Sequence, residues 1–209
     1  VMLIIAGRVF PMFTRNAIRV ETIRTVPALE VATVGSMVAF VALDLVWPDA
    51  TVTALAAIVT ALVATARTFH WGARHTRANP MLWILHLGYA WFPLGLALRG
   101  IAHFTALIPA PVATHALTVG ALGALTLGMM ARVSLGHSGR AIEASRTTTW
   151  SFALVTLAAL VRVFVPLVHA SWYRPSLFIA GSLWSLAFAL FTLGYAPVLT
   201  TPRVDGKPG

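Results

Sequence analysis

The sequence predicts an all-α membrane protein, a polytopic bundle of six complete transmembrane helices preceded by the end of another. Three observations predict this fold class. Of 209 residues, 58% are hydrophobic and 10% are charged, against about a quarter charged in an ordinary soluble domain. Six apolar stretches are long enough to cross a hydrocarbon core of about 30 Å as helices. Nearly all charged residues lie between those stretches.

The elements follow in order along the chain. Val1–Ala6 is apolar but too short to cross a membrane, and we expect it to be the end of a helix that begins in a missing N-terminal portion. Residues 7–27 are expected to form a basic loop, residues 28–199 the six-helix domain and residues 200–209 a tail. The predicted spans are Ala28–Val46, Ala50–Ala66, Met81–Ile101, Val112–Ala131, Trp150–Val168 and Pro175–Leu199. They lack the alternation of membrane strands, which excludes a β-barrel.

The positions of the basic residues predict the orientation of the helices. Short cytoplasmic loops carry an excess of Lys and Arg. Twelve of the fifteen basic residues lie in alternate connections and the tail, two lie in the intervening connections, and Arg162 lies inside a span. Residues 7–27 and the tail are therefore predicted to be cytoplasmic. Because this charge is divided among short segments, a nucleic-acid-binding face is not expected.

Several kinds of chemistry are excluded by what the sequence lacks. Without cysteine the chain has no disulfide, no Cys-ligated zinc, no iron–sulfur cluster and no covalent c-type haem attachment. It also lacks a P-loop, a Gly-x-Ser-x-Gly motif and a His-Glu-x-x-His motif. No catalytic residue is therefore assigned.

The seven histidines are the main candidates for function, because ionisable side chains near a bilayer are costly and usually functional. Neutral imidazole binds haem iron and copper. His70, His75 and His137 fall in predicted cytoplasmic loops and are candidate metal ligands. An alternative role for each is an ordinary hydrogen-bonded residue at the interface.

Three further histidines are candidate cofactor ligands at two depths. His86 lies inside the third span near the predicted cytoplasmic side. His103 and His115 lie near the opposite side. Because His86 and His115 are expected near opposite faces, a single haem is not expected to be bound by both.

Arg162 is predicted to lie about two turns inside the fifth span, where a guanidinium needs a counter-charge. Asp44, near the outer end of the first span, is the expected partner. A haem propionate or another anion is the alternative, so Arg162 is also a candidate cofactor-binding residue. Glu30, near the cytoplasmic face, is expected to be solvated by the loops.

The motifs resemble those of one family. Gly-Arg-Val-Phe-Pro-Met-Phe-Thr at 7–14 resembles the Gly-Arg-Val-x-Pro-Phe-Phe-Thr signature of the NnrS family. His-Trp-x-x-Arg-His at 70–75 and Pro-x-Leu-Trp-x-Leu-His-Leu-Gly-Tyr-Ala-Trp at 80–91 resemble its central motif. Residues 115–123 and 129–140 resemble its most distinctive stretch.

This resemblance implies a bacterial inner-membrane protein that contains haem and copper, is associated with denitrification genes and protects against nitric oxide stress. Nitric oxide or a metal nitrosyl is the species that such a protein would meet. Family members are longer than this chain, with further spans before Gly7. The histidines that match motif positions are His70, His75, His86, His115 and His137, whereas His103 lies outside the motifs.

Two other functions remain open from the sequence. A transporter or channel without haem would use Arg162, His86 and proline kinks to line a path across the membrane. A structural subunit would use the same polar residues only to hold helices together.

Overall fold

A computed structural model describes residues 2–18, 20 and 22–206, with only the backbone of Ala110 described. Val1, Arg19 and Lys207, assigned above to the apolar segment, the basic loop and the tail, lie outside the described residues. Within the described part of the chain, the regular structure is helical and contains no strand. The predicted all-α class is confirmed.

Eight α-helices follow one another in the chain. They are α1 Met2–Ile18, α2 Pro27–Val46, α3 Thr51–Ala66, α4 Pro80–Ile101, α5 Ala110–His115, α6 Ala124–His137, α7 Arg146–Val168 and α8 Tyr173–Thr200. A π-helical segment, Ala116–Gly123, joins α5 to α6 without a break. Short 3₁₀ turns extend α3 at Arg67–His70 and precede α8 at Ala170–Trp172.

Six helices in the described chain are long and apolar enough to cross a membrane, and they correspond to the six predicted spans. Their bounds are Pro27–Val46, Thr51–His70, Pro80–Ile101, Pro111–His137, Arg146–Val168 and Ala170–Thr200. Several extend beyond the apolar stretches, because helical hydrogen bonding continues into the polar motif residues. Large apolar side chains such as Leu45, Leu62 and Leu193 lie on the outside of these helices, as expected for a multi-pass membrane protein.

The N-terminal region differs from the prediction. The helix does not end at Ala6 but continues as α1 through Ile18, so much of the predicted basic loop is helical. One face of α1 is buried, and it includes Leu3, Phe10 and Thr14. These residues recur at helical spacing and pack toward α4, which explains why the helix persists despite Gly7 and Pro11.

Identifiable caps begin α4 and end α6. Pro80 lies in the first turn of α4, and the Asn79 side chain accepts a hydrogen bond from the Met81 backbone N–H at 3.0 Å. At the end of α6, Gly139 has a φ of +73°. The backbone N–H of Arg140 donates to the Leu135 carbonyl at 3.0 Å. This is a Schellman arrangement, and it explains the glycine in the last motif.

Helix α4 occupies the centre of the bundle. It packs against α1 and α3 on one side and against α5, the π-helical segment and α6 on the other. Glycines permit the close approach: a Cβ at Gly120 would overlap Trp91, and a Cβ at Gly128 would lie 2.9 Å from Ile84. Gly120 and Gly128, in the π-helical segment and α6, therefore serve helix packing against α4.

The C-terminal segment folds back on the α6–α7 connection. The Val204 backbone N–H donates to the Ser138 carbonyl at 3.2 Å, and Arg140 donates to the Thr201 hydroxyl at 2.8 Å. Arg203 donates two hydrogen bonds to Asp205, and these raise the pKa of its guanidinium.

Candidate functional site

The centre of the first candidate site is Arg67, at the junction of α3 and its 3₁₀ extension. Its Nε donates to the Tyr89 hydroxyl at 2.7 Å, its Nη1 to Glu30 Oε2 at 2.9 Å and its Nη2 to the Leu3 carbonyl at 2.6 Å. The guanidinium carbon also lies 4.9 Å from the ring centroids of Trp71 and Tyr89. We call these five residues the Arg67 node. It links α1, α2, α3 and α4.

The Arg67 node corrects two predictions made from the sequence. Arg67 directly follows the predicted span Ala50–Ala66 and is one of the twelve basic residues predicted to be cytoplasmic and outside the spans, but it is 1% exposed. Glu30 was expected to be solvated, but its carboxylate pairs with Arg67. A buried guanidinium requires such a partner, because moving an unpaired charge out of water is costly.

Gly7 belongs to the same arrangement. A Cβ at this position would overlap Glu30 Oε2 and would lie 2.8 Å from Glu30 Cδ and 2.9 Å from Arg67 Nη1. Only glycine lets α1 approach the ion pair this closely. The glycine of the first motif therefore has a packing reason.

His86 lies beside the Arg67 node, on α4. Its Nε2 is 2.8 Å from the Thr14 hydroxyl of α1. Its ring centroid is 6.5 Å from the ring centroids of both Phe10 and Trp71. We call His86, Thr14, Phe10 and Trp71 the His86 site. Every member belongs to one of the quoted motifs.

Hydrogen bonding at Thr14 fixes the tautomer of His86. The single hydroxyl hydrogen of Thr14 is donated to the Phe10 carbonyl at 2.8 Å. Thr14 can therefore only accept from His86, so Nε2 carries the hydrogen and Nδ1 carries the lone pair. A histidine held through one ring N–H, with a lone pair on the other nitrogen, is the usual arrangement of a metal ligand.

A largely apolar cavity of about 420 Å³ lies next to His86, between α3 and α4. Its lining includes His86, Tyr89, Leu62, Ala90, Pro93 and Leu94. Trp71 is fully buried, and its Nε1 has no hydrogen-bond partner within the described chain. Trp71 is not among the residues that line the cavity, so the features that fit a haem are the imidazole of His86, with its available lone pair, and the apolar lining beside it.

A second site lies toward the opposite end of the bundle. Arg162 on α7 is 3% exposed. One of its nitrogens, Nη2, lies 2.6 Å from His115 Nε2 and 3.0 Å from the Tyr173 hydroxyl. The guanidinium carbon is 4.6 Å from the Tyr173 ring centroid. The other nitrogen, Nη1, is buried without a partner in the described structure.

The expected pairing of Arg162 with Asp44 is wrong. Asp44 Oδ1 instead accepts from Arg99 Nη2 at 3.1 Å, and Arg99 also donates to the Pro48 carbonyl at 2.7 Å. The physical reason is the helix order in space. Helix α2 packs against α1 and α3, whereas α7 packs against α5, the π-helical segment and α8.

The second site adjoins the π-helical segment, which begins directly after His115. Such segments are rare and frequently occur at functional sites. Because a guanidinium can only donate, His115 Nε2 accepts its hydrogen bond and Nδ1 carries the ring hydrogen. In this arrangement the Nε2 lone pair of His115 is already engaged.

The remaining candidate histidines are dispersed. His70 and His75 line one surface cavity of about 550 Å³, where Arg74 donates to His75 Nε2 at 2.9 Å. His103 is exposed and bonds Thr51 at 3.0 Å, and His137 is exposed in the last turn of α6. Among the residues that the structure describes, no three metal-binding side chains form a group that could hold an ion.

His86 and Arg162 lie inside helices, as predicted, but the groups around them are not predicted from the sequence. Thr14 and Phe10 fall in the predicted loop 7–27, and the motifs contain Trp71 and Tyr89 without indicating what they contact. The signal for the Arg67 node was present in Glu30, an acidic residue in the first turn of an apolar span, at the same predicted side as Arg67.

Comparison with known proteins supports the family resemblance that the motifs indicate. The family model described as NnrS protein matches residues 1–203, and so extends well beyond the last quoted motif, which ends at residue 140. No curated protein and no solved structure matches the chain. The match covers nearly the whole sequence, and the chain therefore belongs to the NnrS family.

Proposed function

We propose that this chain is a haem- and copper-binding membrane protein that acts in resistance to nitric oxide and is linked to denitrification. NnrS family membership suggests a protein of the nitric oxide response. The observation that carries the cofactor proposal is the His86 site, where motif residues of α1 and of the segment after the 3₁₀ extension of α3 surround an imidazole on α4.

His86 is the proposed haem ligand, through Nδ1. Thr14 accepts the hydrogen of Nε2 and orients the ring. Phe10 and Trp71 pack around the imidazole and exclude water from it. When bound, a haem would supply an iron centre at which nitric oxide can bind.

The Arg67 node packs beside the His86 site and stabilises it. Tyr89 contacts the cavity and also donates to the Ala64 carbonyl at 3.4 Å while it accepts from Arg67. Trp71 packs on Arg67 and near His86, so its ring position is determined from both sides. We infer that the node holds α1 against α4, and so keeps Thr14 within hydrogen-bonding distance of His86.

The other candidates take different proposed roles. His70, His75 and His137 are the proposed copper ligands, and the cavity shared by His70 and His75 is the place to test first. His103 and His115 lie toward the opposite end of the bundle from His86, so they are not proposed as ligands of the same haem. The proposed setting is the bacterial inner membrane, with the chain embedded in the lipid bilayer and its C-terminus in the cytoplasm.

The physiological part of the proposal is tested in a strain that lacks the gene. Such a strain should grow more slowly than its parent after addition of a nitric oxide donor, and the wild-type gene should restore growth. A gene encoding His86→Ala should not restore it, whereas one encoding His169→Ala should, because His169 is exposed and lies outside the motifs. Equal rescue by both variants, at equal protein levels, would contradict the proposal.

The copper assignment needs a separate measurement. Copper content of the purified protein should fall when His70 and His75 are both replaced by alanine, with haem absorbance unchanged. Copper content equal to that of the wild-type protein would remove these two residues from the proposal. Replacement of His137 alone then tests the third candidate.

A further inference from the structure

Arg162 is a buried cation that no carboxylate of the described chain neutralises. Its partners are the His115 imidazole and the Tyr173 hydroxyl, both uncharged acceptors. The carboxylates that form ion pairs, Glu30, Asp44 and Asp205, do so with other arginines. Two further described acids, Asp49 and Glu143, are exposed residues of connections. A guanidinium in such surroundings strongly favours an anion beside it.

Two N–H donors remain unused around Arg162 after its own hydrogen bonds are counted. Nη1 is buried and has no hydrogen-bond partner in the described structure. His115 accepts through Nε2, so its Nδ1 presents an N–H. Tyr173 accepts from Nη2 and holds the guanidinium against its ring. Two unused N–H donors beside one positive charge match an anion and do not match a metal ion.

Arg162 and His115 both line a cavity of about 270 Å³ beside the π-helical segment. Its other walls include Val119, Leu177, Trp184 and Ser185. Since one water occupies about 30 Å³ of liquid volume, the cavity has room for a small anion with a few waters. Arg162 Nη1 and His115 Nδ1 are two separate N–H donors, and this favours an oxyanion over a halide, because an oxyanion can offer a different oxygen to each donor.

We propose that Arg162 and His115 bind a small monovalent oxyanion of the nitrite or formate type in this cavity. Arg162 supplies the charge and the Nη1 donor, His115 supplies the Nδ1 donor, and Tyr173 positions the guanidinium. The anion site does not depend on the haem proposal, because it lies toward the opposite end of the bundle and uses none of the residues around His86.

Calorimetric titration of the purified full-length protein in detergent micelles tests the site, with sodium nitrite and sodium formate as probes. Both should bind saturably with one site per chain at constant ionic strength. Sulfate, which is divalent and tetrahedral, should bind at least about tenfold more weakly. Absence of saturable nitrite and formate binding, or equal binding of sulfate, would overturn the proposal.

Two pairs of variants locate the binding. Arg162→Gln should weaken nitrite binding by at least about tenfold, as expected for the loss of a charged hydrogen bond. Arg99→Gln removes a cation from the same end of the bundle and should leave binding unchanged, because Arg99 pairs with Asp44. Equal affinity of the Arg162→Gln and wild-type proteins would overturn the proposal.

A second pair leaves Arg162 in place, in case its removal prevents folding. Gly181 lines the cavity, and a Cβ there meets no heavy atom within 4 Å. Gly181→Leu should therefore fold, fill the cavity and weaken nitrite binding at least about tenfold. Gly35→Leu has the same free space on α2 and should bind like the wild type. A folded Gly181→Leu protein with wild-type affinity would exclude this cavity as the site.

Discussion

Replacement of Gly7 by alanine tests whether the Arg67 node holds α1 in the bundle. The added Cβ would overlap Glu30 Oε2 and approach Arg67 Nη1 to 2.9 Å. Because Glu30 is the partially exposed member of the ion pair, we expect its carboxylate to move away. Arg67 would then remain buried without its charged partner.

The expected loss of stability follows from the burial of this ion pair. The side chain of Arg67 is 0% exposed and that of Glu30 is 26% exposed, with the charged atoms 2.9 Å apart. Breaking a buried pair costs about 3–5 kcal/mol, and the exposure of Glu30 favours the lower end. Alanine offsets about 1 kcal/mol through its higher helix propensity. The free energy of unfolding should therefore fall by about 2 kcal/mol.

The assay is denaturant-induced unfolding in detergent micelles, followed by helical circular dichroism. Gly35→Ala is the matched control, because a Cβ at Gly35 meets no heavy atom within 4 Å, and it should cause no loss. In a Glu30→Ala background, Gly7→Ala should cause a clearly smaller loss, since the overlapping carboxylate is absent and only the 2.9 Å approach to Arg67 Nη1 remains. An equal loss in both backgrounds, or no loss in the wild-type background, would refute the reasoning.

Three further predictions concern local contacts. Thr14→Val removes the acceptor of the His86 Nε2–H while the side chain keeps nearly the same shape. Haem retention during dialysis should therefore fall by about tenfold or more. Unchanged retention would argue against the assigned tautomer. Asp44→Asn should lower the free energy of unfolding by less than about 1 kcal/mol, because its ion pair is 34% and 40% exposed; a loss above about 2 kcal/mol would contradict this. Gly139→Ala places a Cβ at a residue with a φ of +73°, where the Cβ would lie 2.7 Å from Asp205 Cγ. The free energy of unfolding, measured by thermal denaturation, should fall by about 1–2 kcal/mol. An unchanged free energy of unfolding would contradict the helix-ending role of Gly139.

Hydropathy was sufficient to predict the six spans, because a helix in lipid must present apolar side chains along its length. It did not predict that α1 continues to Ile18. Gly7 and Pro11 are typical of a loop when considered locally. The buried face of α1 stabilises the helix only when it packs against α4. The helix therefore depends on tertiary packing that a local pattern does not contain.

The environment of charged residues likewise depends on tertiary packing that the local sequence does not contain. The depth of Arg162 could be predicted from its position in the sequence, but its partner could not, because that depends on which helices are neighbours in space. Arg67 was treated as a loop charge because it follows the last apolar residue of its span. Its burial arises from Leu3, Glu30 and Tyr89, which three other helices bring to it.

The absorption spectrum of the purified full-length protein tests the central claim, that His86 belongs to a haem site. Wild-type protein should show a Soret band that shifts when nitric oxide is added. His86→Ala should lose most of the haem absorbance per folded protein, whereas His169→Ala should retain it. A well-folded wild-type protein without a Soret band, or an unchanged spectrum and nitric oxide response in His86→Ala, would contradict the account.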